Sequence, residues 1–166
     1  MKSKNATLLL LSFTASCVAL SIPMSEAASA KGCPFTKSIY RDGDGKGFEL
    51  VFGPPPPKTV YDATAVIHHA QQRSLYRFTV DQLSGYGSVW LSDVSRSHSK
   101  QSKNFWMTFF DRDLKAATPI LLWDAKEAPQ YVVIAELGSY DYYRRRGADK
   151  PPLIGDVMWI FDRCQS

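Results

Sequence analysis

This sequence predicts an all-β fold, an antiparallel β-sandwich or alternatively a closed β-barrel, of roughly eight or nine short strands. Two observations carry that expectation. Apolar and polar residues alternate over strand-length stretches, and Gly, Pro, Asp and Ser cluster between those stretches at short intervals. The pattern is clearest over residues 75–94. Tyr76, Phe78 and Val80 alternate with Arg77, Thr79 and Asp81, so one face of a pleated strand is apolar and the other polar. Leu83-Ser84-Gly85-Tyr86-Gly87 then supplies a turn with two glycines, and Val89-Trp90-Leu91 resumes an apolar run that completes a hairpin.

Residues 1–30 have the layout of a secretory signal peptide. Lys2 and Lys4 precede an apolar stretch from Leu8 to Ile22, and Ala28-Ser29-Ala30 offers the small residues that a signal peptidase requires. The expected mature chain is one β domain over residues 31–166, secreted or periplasmic. Ser12, Ser16, Ser21 and Pro23 interrupt the apolar stretch, which falls short of the roughly 18 continuous apolar residues of a membrane span, so no span is expected in the mature chain. The minor alternative is a lipid anchor at Cys17, because Thr14-Ala15-Ser16-Cys17 loosely resembles the small-residue box before a lipidated cysteine. Cys33 and Cys164 remain in either case, near the two ends of the mature chain. In an oxidising compartment, with no Cys-x-x-Cys or Cys/His spacing competing for them, they are expected to form a disulfide.

The elements follow in order. Residues 35–40 read as a first strand, and the turn Arg41-Asp42-Gly43-Asp44-Gly45-Lys46-Gly47 leads into the alternating Phe48, Leu50 and Phe52. Asp42-x-Asp44 suggests calcium, but Lys46 and Gly53 stand where an EF-hand loop needs Asp or Asn and Glu, so a solvated turn and no metal site are expected. Pro54-Pro55-Pro56-Pro57 reads as a stiff connector crossing from one sheet to another. Residues 62–73 fit a helical stripe or a strand with a turn, and strand is preferred because strands surround them. Neighbouring residues on a strand point to opposite faces, so His68 and His69 are not expected to act together.

Residues 92–103 form a polar loop, and the run from Phe105 to Phe110 is apolar on both faces, as in a strand covered on each side. Residues 120–123 and 130–137 read as a further pair of strands, the second largely buried, and residues 157–161 as the last. Between the last two lies Ser139-Tyr140-Asp141-Tyr142-Tyr143-Arg144-Arg145-Arg146-Gly147, read as a loop dense in tyrosine and arginine.

The function classes excluded are as informative as those retained. No nucleophile elbow, zinc helix, phosphate-cradling loop or dinucleotide fingerprint occurs, so no cofactor is expected and nothing in the sequence supports catalysis. Beyond residue 30 the net charge is +3, scattered apart from Arg144-Arg145-Arg146, which does not suit a nucleic-acid binder. The leading expectation is an exported, non-catalytic binding protein that recognises a cell-envelope glycan, a small ligand or an anionic partner. Its candidate ligand-binding residues are Tyr86, Trp90, Tyr140, Tyr142, Tyr143, Arg144, Arg145 and Arg146, whose side chains stack on rings and pair with anions. The alternatives are a secreted enzyme inhibitor presenting the 140–146 loop, and a small extracytoplasmic hydrolase with His68, His69 or His98 as its base.

Overall fold

The computed structural model describes residues 30–84, 86–95, 102–121, 127–148 and 150–166. Residues 1–29 of the signal peptide expected over 1–30, Cys17 among them, His98, and residues 122–123 of the strand expected at 120–123 lie outside the described residues. Ile120 and Leu121 are not in a strand.

The alternation in the sequence becomes the inside and outside of a closed barrel. The strands are β1 (Ser38–Asp42), β2 (Phe48–Gly53), β3 (Ala63–His69), β4 (Gln72–Gln82), β5 (Val89–Asp93), β6 (Asn104–Phe110), β7 (Tyr131–Ile134) and β8 (Met158–Cys164). Each pairs antiparallel with its neighbour in sequence, and β1 pairs with β8, so the fold is the barrel and not the two-layer sandwich. Closure leaves no free sheet edge among these strands. Residues 62–73 form β3 and the start of β4, as the strand reading expects.

An eight-stranded barrel is just wide enough for side chains to fill, and here aromatic rings fill it. Tyr40, Phe48, Phe52, Tyr76, Phe78, Phe105, Phe109, Trp159 and Phe161 are all buried, together with Leu50, Ile67, Leu91 and Val132. Rings meet edge to face, as between Tyr40 and Phe52 at 5.7 Å and between Phe78 and Phe105 at 5.9 Å, the geometry that the ring quadrupoles favour. The Tyr40 hydroxyl donates to the Pro129 carbonyl at 2.8 Å, and burial pushes its pKa well above the ordinary phenol value.

Both barrel ends are covered. At one end residues 35–37, expected as strand, form a short 3₁₀ turn that drops Phe35 onto Phe52 and Phe109, with ring centroids 4.3 and 5.8 Å away. The Cys33–Cys164 disulfide fastens this plug to the end of β8. At the other end the expected tyrosine and arginine loop is instead a helix, α1 (Leu137–Arg145). It sits so close to the 155–156 backbone that a Cβ on Gly138 would lie 2.6 Å from the Asp156 nitrogen. No helix among the described residues is long and apolar enough to cross a membrane.

Two further expectations are corrected. The four prolines lie in the β2–β3 loop of one continuous sheet and cross nowhere. β6 is covered on one side only, because Trp106 points outward and is 48% exposed. The 42–47 turn is exposed over residues 43–47, as a solvated turn, and is organised by the buried Asp42, whose carboxylate accepts the backbone N–H groups of Lys46, Gly47 and Phe48.

Tyr76 shares the shift seen at Tyr40: burial, then its bond to Asp141, raise its phenol pKa. A raised folded-state pKa means that the unfolded chain releases its protons first. The stability this provides is complete below the ordinary phenol value of about 10 and declines as the pH rises through it. The urea midpoint should therefore fall between about pH 8 and about pH 11, and less steeply in Tyr40→Phe. An equal decline in that variant would remove Tyr40 from the account.

Candidate functional site

A filled interior and two covered ends leave the outer surface as the place for a ligand. The residues singled out from the sequence divide there into three groups. Tyr86 is almost fully exposed in the β4–β5 loop, at the barrel end opposite α1, so it and the 140–146 segment are not brought together.

Tyr140, Arg144 and Arg145 face the barrel and hold α1 on it. Asp141 is completely buried and accepts four hydrogen bonds: from the Tyr76 hydroxyl at 2.6 Å, Arg145 Nε at 2.6 Å, Arg145 Nη2 at 2.7 Å and the Ile154 N–H at 2.7 Å. Arg145 also donates to the carbonyls of Pro151 and Pro152, which ties the next loop to the helix. Beside it, Asp93 accepts from the Tyr140 hydroxyl at 2.7 Å and Arg144 Nη1 at 2.6 Å, while the Arg144 guanidinium lies 4.7 Å from the centre of the Tyr76 ring. Tyr142, Tyr143 and Arg146 point to solvent, and the two tyrosine rings meet edge to face at 5.3 Å.

Trp90 forms the third group, with residues that the sequence did not single out. On β5 it alternates with the buried Val89 and Leu91 and therefore faces outward. Directly opposite on β6 stands Trp106, outward for the same reason between Phe105 and Met107. The two indoles are stacked 6.4 Å apart at an angle of 21°, the close pairing that cross-strand neighbours allow. On the other side of Trp90, in register with it, is Asp81 of β4.

Asp81 and Trp90 line a groove of about 600 Å³ together with Asp62, Ser92 and Asn104, with Val60 and Leu83 at its rim, and Trp106 stands next to it against Trp90. Gln82 braces that rim: its side chain donates to the carbonyls of Gly87 and Pro119 and accepts from the Leu121 N–H. Asp62 is held by the Gln82 N–H at 2.7 Å. The Asp81 carboxyl has a raised pKa, first from burial and then from the charge of Asp62. The arrangement suits stacking of a flat or ring-shaped ligand with polar groups alongside.

A second cleft, of about 1000 Å³, lies over β1, β2 and β3 and includes Arg41, Glu49, His68, His69 and Arg73 in its lining. Both histidines border it from opposite faces of β3, as the strand reading expects: His68 is in register with the outward Glu49, and His69 with the buried Phe48, whose ring centre lies 4.8 Å from its own. Each ring is occupied by backbone. His68 Nδ1 accepts from the Ser74 N–H and His69 Nδ1 from the Gln71 N–H, which leaves His69 Nε2 to donate to the Lys46 carbonyl at 3.2 Å. Glu49, between Arg41 and His68 in register, pairs with Arg163 at 2.8 Å.

No protein-family model matches the chain, and neither does any curated protein or solved structure, so the groove's own chemistry carries the functional argument.

Proposed function

We propose that this chain is an exported, non-catalytic binding protein whose ligand lies in the groove on the outer face of β4, β5 and β6, stacked on Trp90 and Trp106. The observation that carries this reading is the indole pair itself. Two large, nearly parallel aromatic side chains facing outward in cross-strand register contribute little to the packed core and much to a ring-shaped ligand such as the sugars of a cell-envelope glycan. The disulfide supports export, and the barrel interior, filled with side chains, supports an external site over an internal one.

A second reading has its own observation. Tyr142 and Tyr143 are 51% and 70% exposed on α1 and meet edge to face, an arrangement that suits a protein partner, including an enzyme to be inhibited.

One pair of double variants separates the two. Trp90→Ala/Trp106→Ala should weaken retention on immobilised envelope glycans by about 30-fold, the loss of roughly 2 kcal/mol that accompanies removal of an aromatic anchor. Tyr142→Ala/Tyr143→Ala should leave retention unchanged. The opposite pattern would move the site to α1, and unchanged binding in both would remove it from both places.

A further inference from the structure

We infer that the ligand of the Trp90 groove is an amino-sugar oligomer with free amines, its rings stacked on the indoles of Trp90 and the adjoining Trp106 and an ammonium group held by Asp81 and Asp62. This rests on the binding reading above and deepens it.

Charge is the first argument. The chain as a whole carries +4, yet the described lining of the groove holds two carboxylates and no Lys, Arg or His. Asp62 is steadied by a backbone N–H. Asp81 has no hydrogen bond or ion pair among the described residues, stands beside Trp90 in register and feels the like charge of Asp62. An ionised carboxylate partly withdrawn from water, with a second one nearby, gains from an incoming cation on both counts. The indole faces add cation–π attraction for the same group.

Unsatisfied polar atoms on the same outer face are the second argument. Thr79 is two residues from Asp81, so both project from the outer face of β4, and it is opposite Ser92 in the groove lining. It is 7% exposed, and its hydroxyl has no hydrogen-bond partner among the described residues. The Trp90 indole N–H is likewise buried and has no partner among the described residues. Buried polar groups are ordinarily satisfied, so an orphan on a residue of the lining, with a second opposite Ser92 just outside it, points to a ligand that brings hydrogen-bonding groups of its own. Ser92 and Asn104, also without side-chain partners among the described residues, extend that row. Hydroxyls beside a stacked ring and an ammonium beside a carboxylate are together what a free-amine sugar presents. A lysine or arginine side chain presents the charge without the hydroxyls.

Three probes of equal length test this by tryptophan fluorescence titration: a β-linked glucosamine oligomer, its fully N-acetylated counterpart and an oligolysine. The expected result is at least tenfold tighter binding of the glucosamine oligomer than of either other probe. Asp81→Asn, checked for an unchanged melting curve, should abolish the preference over the N-acetylated oligomer, and Trp90→Ala should weaken both sugars. Equal binding of the two sugars would overturn the ammonium assignment and leave glycan binding standing. Tighter binding of oligolysine would overturn the sugar. Failure of all three probes while the double tryptophan variant still loses envelope glycan would overturn this inference alone; failure of that experiment too would overturn the binding reading itself.

Discussion

Asp141→Ala is expected to lower the stability of the barrel by about 3 to 5 kcal/mol, the range for removing one partner of a buried ion pair. The carboxylate is completely buried and receives both Nε and Nη2 of Arg145, the Tyr76 hydroxyl and the Ile154 N–H. Alanine leaves all four donors facing an apolar methyl, and the Arg145 guanidinium is then a charge with no counter-ion on its inner side. The two carbonyls that Arg145 also touches, of Pro151 and Pro152, keep it from swinging out freely. Asp141→Ala/Arg145→Met should recover part of the loss, because no charge is then stranded, and the size of that recovery measures the coupling of the pair. Urea unfolding followed by circular dichroism provides the numbers. A loss below about 1 kcal/mol, the effect of an ordinary surface site, would mean that α1 is held by apolar contacts from Leu137 and Tyr140 and not by its acid. Arg145 is consequently a poor residue with which to probe ligand binding, since its replacement disturbs the fold.

The reason α1 was not legible in the sequence lies in those same residues. Its barrel-facing positions, Leu137, Tyr140, Asp141, Arg144 and Arg145, follow helical spacing, but the face they form is polar. Apart from Leu137 and the Tyr140 ring, its contacts with the barrel are ion pairs and hydroxyl bonds to Asp93 and Tyr76, so the continuous hydrophobic stripe that marks an amphipathic helix is missing. The hairpin of β4 and β5 was legible because its inward residues, Tyr76, Phe78, Val80, Val89 and Leu91, are all apolar and its turn contains glycine. Barrel and sandwich could not be told apart on that basis, since both ask each strand for the same alternation. What decides is the pairing of Tyr40 with Phe161, residues far apart in the chain, and local patterning contains no information about it. Trp106 was hidden for a related reason. In Phe105-Trp106-Met107-Thr108-Phe109-Phe110 nearly every residue is apolar, so the outward positions could not be separated from the inward ones until the register with Trp90 was known.

Removing the disulfide, by Cys33→Ala/Cys164→Ala, is the other change with a large expected effect. The bond closes a loop with a sequence separation of 131 residues, for which the chain-entropy model gives about 5 kcal/mol, and losses of native disulfides usually fall between about 2 and 5 kcal/mol. Where the bond sits decides how the loss appears. Cys33 lies immediately before the Phe35 plug and Cys164 ends β8, the strand that closes the barrel against β1. The same corner is fastened by three further bonds, from the Ala128 N–H to the Cys33 carbonyl, from the Gln165 N–H to the Lys37 carbonyl and from the Gln165 side chain to the Phe52 carbonyl. The rings of Tyr76, Phe78 and Phe105 pack toward α1 at the opposite end, so the double variant should remain folded at 25 °C while its urea midpoint falls. Hydrogen exchange should then quicken first at the amides of Cys33, Ala128 and Gln165 and stay slow at those of Tyr76 and Phe78 near α1. Uniform acceleration along the whole barrel would show instead that the bond acts only through the unfolded chain, by limiting how far it can expand, and that the plug is held in place without it.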